Sequence, residues 1–288
     1  DGDDYGFNDQ LKAAYGDILR PMDGFRSYEP AQLTRCIDHE ALMVLMFTSG
    51  TTGRSKGVML SEKNFFSVMR AHTQIGEHMM AYKHEPDLVM SQYTVLPMFH
   101  LGAFIDLFST TVMGWPLNLG SDIRNFYRDI QKMPSQIMSV VPMIMNALHK
   151  DVMRGHRDRL GDLWVPIGSS AMFDGAMLAE LAQQGMMITQ VYGMTETCGD
   201  GIINYEQDEK HIRAVGKPDD HVQYKLDETG EICIKGDCVM LGYYKDPEAT
   251  AEVIDADGWF HTGDLARMDE EGFYYITGRK KNLIILAS

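Results

Sequence analysis

The chain has 288 residues, 44% of them hydrophobic, enough for one large core or two medium ones. Its 41 acidic side chains against 26 basic ones give a formal charge of −15, a field that repels phosphates and argues against nucleic-acid or anionic-membrane binding by bulk electrostatics. Four cysteines (36, 198, 233 and 238) form neither a CxxC pair nor a disulfide framework, which suits a reducing compartment, and no apolar run approaches the ~18 residues of a membrane span.

Residues 1–40 are polar and turn-rich, with Pro21, Gly24 and Pro30, and read as a linker or edge segment. From 41 to about 200, short apolar runs (41–47, 92–98, 137–141, 163–167, 186–191) alternate with amphipathic stretches (61–82, 121–132, 143–153, 174–184). That alternation predicts an α/β subdomain over 41–200, a mostly parallel sheet flanked by helices. Ser61 followed by Glu62 marks a helix start. From 201 to 277 the runs shorten and turn residues multiply, as in GKP (216–218) and DADG (255–258), predicting a β-rich subdomain of antiparallel hairpins or a small barrel. Residues 278–288 follow as a hinge-like end. The 22 methionines suit an irregular core and carry no specificity, and Cys233 and Cys238 read as small buried residues.

The strongest chemical signal is MFTSGTTGRSKG at 46–57. Glycines at 50, 53 and 57 let the backbone turn its N–H groups toward an anion. Thr48, Ser49, Thr51, Thr52 and Ser55 add hydroxyls, and Lys56 adds a charge. A flexible loop after a strand explains the glycines but not this density of donors, so the segment reads as a polyphosphate cradle. It is not a Walker A loop: Ser55 stands five positions after Gly50, and Gly57 follows Lys56.

TSGTTGRSKG resembles the signature loop of the AMP-forming adenylating superfamily, and three further stretches support the match in order: YGMTET (192–197), WFHTGD (259–264) and YITGRKKN (275–282). The last two, with GRKKNLIIL closing the chain, are most similar to long-chain fatty acyl-CoA ligases. The resemblance runs from about residue 40 to the end. It implies an ATP- and magnesium-dependent ligase of fatty acid metabolism that joins a carboxylic acid to AMP with release of pyrophosphate. Transfer to the thiol of coenzyme A follows in the intact enzyme.

By the same resemblance, Thr48, Ser49, Gly50, Thr51, Thr52, Gly53 and Lys56 would hold the β and γ phosphates. Tyr192 would lie against adenine, with Gly193 and Met194 beside it. Thr195 would bond the α-phosphate and Glu196 would hold Mg²⁺, so that Thr195, Glu196 and Lys56 form the catalytic set. Asp264 would take the ribose hydroxyls, while Arg279, with Ile276 nearby, would bind ribose or phosphate. GSSAM at 168–172 stands where the family often has Gly-Gly-Ala-Pro, so Ser169, Ser170 and Ala171 would border the adenine in an altered loop. His100, in LPMFH (96–100), would line the acyl entrance or serve as a core histidine. Lys281 resembles the hinge pivot before a mobile C-terminal domain that supplies a lid lysine, and only about seven residues follow it. The chain thus reads as an excised piece, expected to keep the nucleotide face and little complete ligase activity. Expected partners are a fatty or other carboxylic acid and coenzyme A, in the cytoplasm or peripheral to a membrane, with a homodimer left open. Rival readings are an adenylating domain that loads a carrier-protein thiol and a non-catalytic nucleotide-binding module.

Two other patterns fail on spacing. In DADG (255–258) the register that puts Gly258 sixth in a calcium loop puts Val253 first, where an oxygen ligand is required. His72 and His78, six apart on a helix, do not share a face at metal-ligand spacing and read as solvated polar residues.

Overall fold

The computed structural model describes residues 38–48, 55–84, 90–120, 122–169 and 173–280. The expectations placed on Ser49, Gly50, Thr51, Thr52, Gly53, Ser170, Ala171 and Lys281, and nearly all of segment 1–40, lie outside these residues.

Strand β1 (Leu42–Thr48) pairs antiparallel with the next strand, β2 (Lys56–Ser61), Thr48 opposite Lys56. This corrects the sequence reading, which gave run 41–47 to the parallel sheet. An apolar run shows that a strand exists but not which strand it pairs with, and KGVMLS supplied a nearer partner. Helix α1 (Glu62–Lys83) starts at Ser61 as expected. The Asn64 side chain accepts the Ser61 N–H at 2.7 Å and donates to the carbonyls of Asp237 and Val239 at 2.7 and 2.8 Å, tying the helix start to a distant segment.

The central sheet holds β3 (Gln92–Thr94), β4 (Leu117–Leu119), β5 (Ile137–Val140), β6 (Val165–Ser169), β7 (Thr189–Gly193) and β8 (Gly201–Asn204). Their order is β4-β3-β5-β6-β7-β8; the first five are mutually parallel and β8 is antiparallel to β7. Helix α2 (Leu101–Met113) follows β3, and α3 (Phe126–Lys132), α4 (Pro142–Met153) and α5 (Gly175–Gln183) follow in turn. Side chains of a strand alternate between faces. Met138 and Val140 pack with Ile144, Leu148, Leu178 and Leu181 of α4 and α5, whereas Ile137, Val165 and Ile167 pack on the other face with Ala71, Ile75 and Met79 of α1. The sheet is thus covered on both sides, as predicted.

Beyond it, β9 (Gln223–Leu226), β10 (Glu231–Lys235), β12 (Phe260–Met268) and β13 (Tyr274–Arg279) form an antiparallel sheet in the order β13-β12-β10-β9. Between them in sequence, β11 (Gly242–Tyr243) leaves to pair with β2, and α6 (Pro247–Val253) follows it. Ile232, Ile234, Ala266 and Tyr274 pack against Ile202 of β8, joining the antiparallel sheet to the central one. Among the described residues, no helix is long and apolar enough to cross a membrane.

Candidate functional site

A cleft of about 760 Å³ opens where the C-terminal ends of β6 and β7 meet β12 and β13, lined among others by Tyr192, Arg213, Asp264, Arg267, Ile276 and Arg279. Three of the residues singled out from different sequence motifs bond to one another here. The Tyr192 hydroxyl donates to Asp264 Oδ2 at 3.0 Å, and Arg279 Nε lies 2.7 Å from Asp264 Oδ1. Asp264 is 5% exposed and Arg279 is exposed, so a buried carboxylate is held in place while its guanidinium partner faces solvent. Burial, with the Asp264 charge second, pushes the Tyr192 phenol well above its ordinary pKa, so it stays protonated and a donor.

The strand ends explain this geometry. Tyr192 pairs with Ile202 and Gly193 with Gly201 across the β7–β8 ladder. A Cβ on Gly201 would sit 1.7 Å from the Tyr192 carbonyl oxygen, so only glycine permits the approach that sets the tyrosine at the cleft. On the neighbouring sheet, Asp264 and Arg279 are cross-strand partners of β12 and β13.

Beyond Met194 the chain makes a short 3-10 turn, Thr195–Thr197. Glu196 accepts the Tyr243 hydroxyl at 2.9 Å, and Lys56 Nζ lies 4.5 Å from the centre of the Tyr243 ring. Lys56 and the acidic residue of YGMTET therefore meet on one aromatic side chain, from strand β11. Thr48, at the end of β1, faces Lys56 across the β1–β2 ladder. Ser169 ends β6 beside Val191.

His100 is exposed and caps α2, its Nδ1 accepting the Gly102 N–H at 3.1 Å. It is not a core histidine, and it is not among the residues lining the cleft. His72 is half-buried, and loss of hydration lowers its pKa to about 4, whereas His78 is exposed and stacks on Tyr205 at 3.9 Å. Asp255 accepts the N–H groups of Asp257 and Trp259, the bonding of a tight turn.

Sequence reasoning missed Arg213, Arg267 and Tyr275 on the cleft wall and Tyr243 beside Glu196. Arg213, in HIRAV, and Tyr243, in LGYY, stand in stretches with no donor-rich pattern, and only the fold brings them to the site.

The AMP-binding enzyme family model matches residues 8–244. The chain belongs to this family. It is 31% identical over 267 residues to a long-chain-fatty-acid–CoA ligase of Salmonella typhimurium, covering 86% of this chain and 46% of that protein. It is 32% identical over 255 residues to a 2-succinylbenzoate–CoA ligase of Bacillus licheniformis, covering 84% and 50%. The solved structure of O-succinylbenzoate coenzyme A synthetase from Bacillus subtilis in complex with AMP superposes with a TM-score of 0.73 at 25% identity, covering 86% of this chain and 52% of that one. The chain therefore spans about half the length of the relatives it matches.

Proposed function

We propose that this AMP-binding chain provides the nucleotide face of an ATP-dependent acid–CoA ligase, with a medium- or long-chain fatty acid as the acid. The observation that carries the reading is the Tyr192–Asp264–Arg279 chain of bonds across the cleft. The cleft's size lies within the range for small-molecule sites, and its donor set suits an adenylate: aromatic rings for a base, a buried carboxylate for ribose hydroxyls and guanidinium groups for phosphate.

The acid substrate is already ionised at neutral pH and needs no general base. The difficulty is bringing an anion against the triphosphate, a repulsion of roughly several kcal/mol at an effective dielectric near 20. Catalysis then rests on positioning and on charge placed in advance. Lys56 and Arg279 supply fixed positive charge, Asp264 orients the sugar, and Thr195 donates to the α-phosphate. Thr48 and Ser169, with Ser49, Gly50, Thr51, Thr52, Gly53, Ser170 and Ala171, would border phosphates and adenine. His100 is proposed for the acyl entrance and Lys281 for the hinge. Glu196, with its remaining carboxylate oxygen, suits a magnesium ion, which neutralises phosphate charge when bound. The thiol acceptor is proposed to be coenzyme A.

The test is calorimetric titration of the chain with ATP·Mg²⁺ and with non-hydrolysable acyl-adenylate mimics of several chain lengths. Binding of the mimics that strengthens with fatty chain length supports the reading. Equal affinity for every acyl group would remove the fatty-acid assignment, and no binding by the folded chain would remove the nucleotide assignment.

A further inference from the structure

On the side of the antiparallel sheet turned away from its apolar cluster lies a group of polar side chains that the adenylate site does not use. Ile232 and Ile234 of β10 face the core, so Glu231 and Cys233 share the opposite face. Cys233 and His261 are direct cross-strand partners on β10 and β12, with Sγ and Nδ1 3.5 Å apart. Glu231 Oε2 lies 3.4 Å from the same Nδ1, while Oε1 is occupied by the Gly263 N–H at 2.7 Å. Asp227, in the turn after β9, brings a carboxylate oxygen to within 4.8 Å of the sulfur and the imidazole. The sequence reading of Cys233 as a small buried residue accounts for its burial but not for this company.

We propose that Asp227, Cys233 and His261, with Glu231 beside the imidazole, form a site for a divalent transition-metal ion of the zinc class. Metal bonds of about 2.3 Å to sulfur and about 2.1 Å to nitrogen or oxygen, at tetrahedral angles, set sulfur and nitrogen about 3.6 Å apart and nitrogen and oxygen about 3.4 Å apart. The observed separations match both. Mixed thiolate, imidazole and carboxylate donors favour zinc over magnesium or calcium, which take oxygen alone. A second observation shows that the site already takes positive charge: Lys280 Nζ stands 2.8 Å from Glu231 Oε2 and 3.6 Å from Asp227 Oδ2. The metal therefore enters by exchange. The Cys233 proton passes to solvent, the sulfur bonds the ion, and the Lys280 ammonium leaves Glu231 for water.

The experiment is titration of the whole chain with Zn²⁺ and, separately, Co²⁺, followed by calorimetry and by the cobalt absorption spectrum. One equivalent should bind, with a sulfur-to-cobalt charge-transfer band. That band should vanish in Cys233→Ser and in His261→Gln, each checked for folding by near-ultraviolet circular dichroism. Lys280→Gln, at an exposed position, should tighten zinc binding about tenfold by removing the competing ion. Absence of zinc binding, or a band that persists in Cys233→Ser, would overturn the site. Unchanged or weaker affinity in Lys280→Gln would overturn the exchange.

Discussion

Asp264 takes hydrogen bonds from donors on two different sheets, and its carboxylate is nearly inaccessible. A hydrogen bond to a charged group is worth about 1.5–3 kcal/mol, so Asp264→Ala should weaken an acyl-adenylate mimic about 10- to 100-fold by calorimetry. Tyr192→Phe, which leaves the carboxylate in place, should cost less. Two other residues, one buried and one half-buried, govern pH dependence in opposite directions. Burial raises the Asp106 pKa to about 6 against hydrogen bonds that lower it, and its Oδ2 has no partner. The folded state then holds this proton more tightly than the unfolded one, so Asp106 makes stability fall as pH rises from about 4 to about 6. His72, lowered to about 4, does the reverse: its contribution is lost as pH falls from about 6.5 to about 4. Each shift corresponds to roughly 3 kcal/mol, and over the shared range the two largely offset. Asp106→Asn keeps an acceptor for Gln92 and Ser139 and should stabilise the chain at pH 7.5. It should also make acid destabilisation steeper by exposing the His72 contribution, which denaturant titration at pH 5 and 7.5 would detect.

At the scale of elements, the start of α1 is joined to the segment before β11 through Asn64, a buried side chain with all of these bonds satisfied by backbone. Asn64→Ala removes a cap and strands two carbonyls, and should lower unfolding stability by about 2–4 kcal/mol in urea titration. Much of this architecture was legible in the sequence. The amphipathic stretches at 61–82, 143–153 and 174–184 became α1, α4 and α5 within a residue or two, because each shows one continuous apolar face. Helix α2 is not among the stretches that the periodicity marks. In the fold Asp106 is a buried member of that helix, bonded to Gln92 and Ser139. Nothing local in the sequence announces a carboxylate whose partners lie 14 and 33 residues away. The pairing of β2 with β11 was hidden for the same reason, since that partner lies far along the chain, whereas β1 simply pairs with the next strand. Within the site, the motifs carried Tyr192, Asp264 and Arg279, whereas Tyr243 and Arg213 came only with the packing.

For the whole molecule, the candidate site draws on three sheets: Tyr192 from the central one, Asp264 and Arg279 from the four-stranded one, Lys56 and Tyr243 from the three-stranded one. A ligand that bridges them binds only when all are in place. Any ligand that binds the folded state alone adds about 2.7 kcal/mol at a hundredfold excess over Kd. An acyl-adenylate mimic at that excess should therefore raise the melting temperature by a few degrees in scanning calorimetry, and the rise should shrink sharply in Asp264→Ala at the same concentration.

The double hold on Asp264 has a consequence for how such a chain diversifies. Because the carboxylate is held by a tyrosine and an arginine side chain from two sheets and not by the guest, the proposed nucleotide seat is a property inherited with the fold. Changes of acid preference can then accumulate in loops around it without rebuilding it. Relatives of comparable similarity that bear the names of a long-chain fatty acid and of 2-succinylbenzoate are what such a division of labour would leave behind.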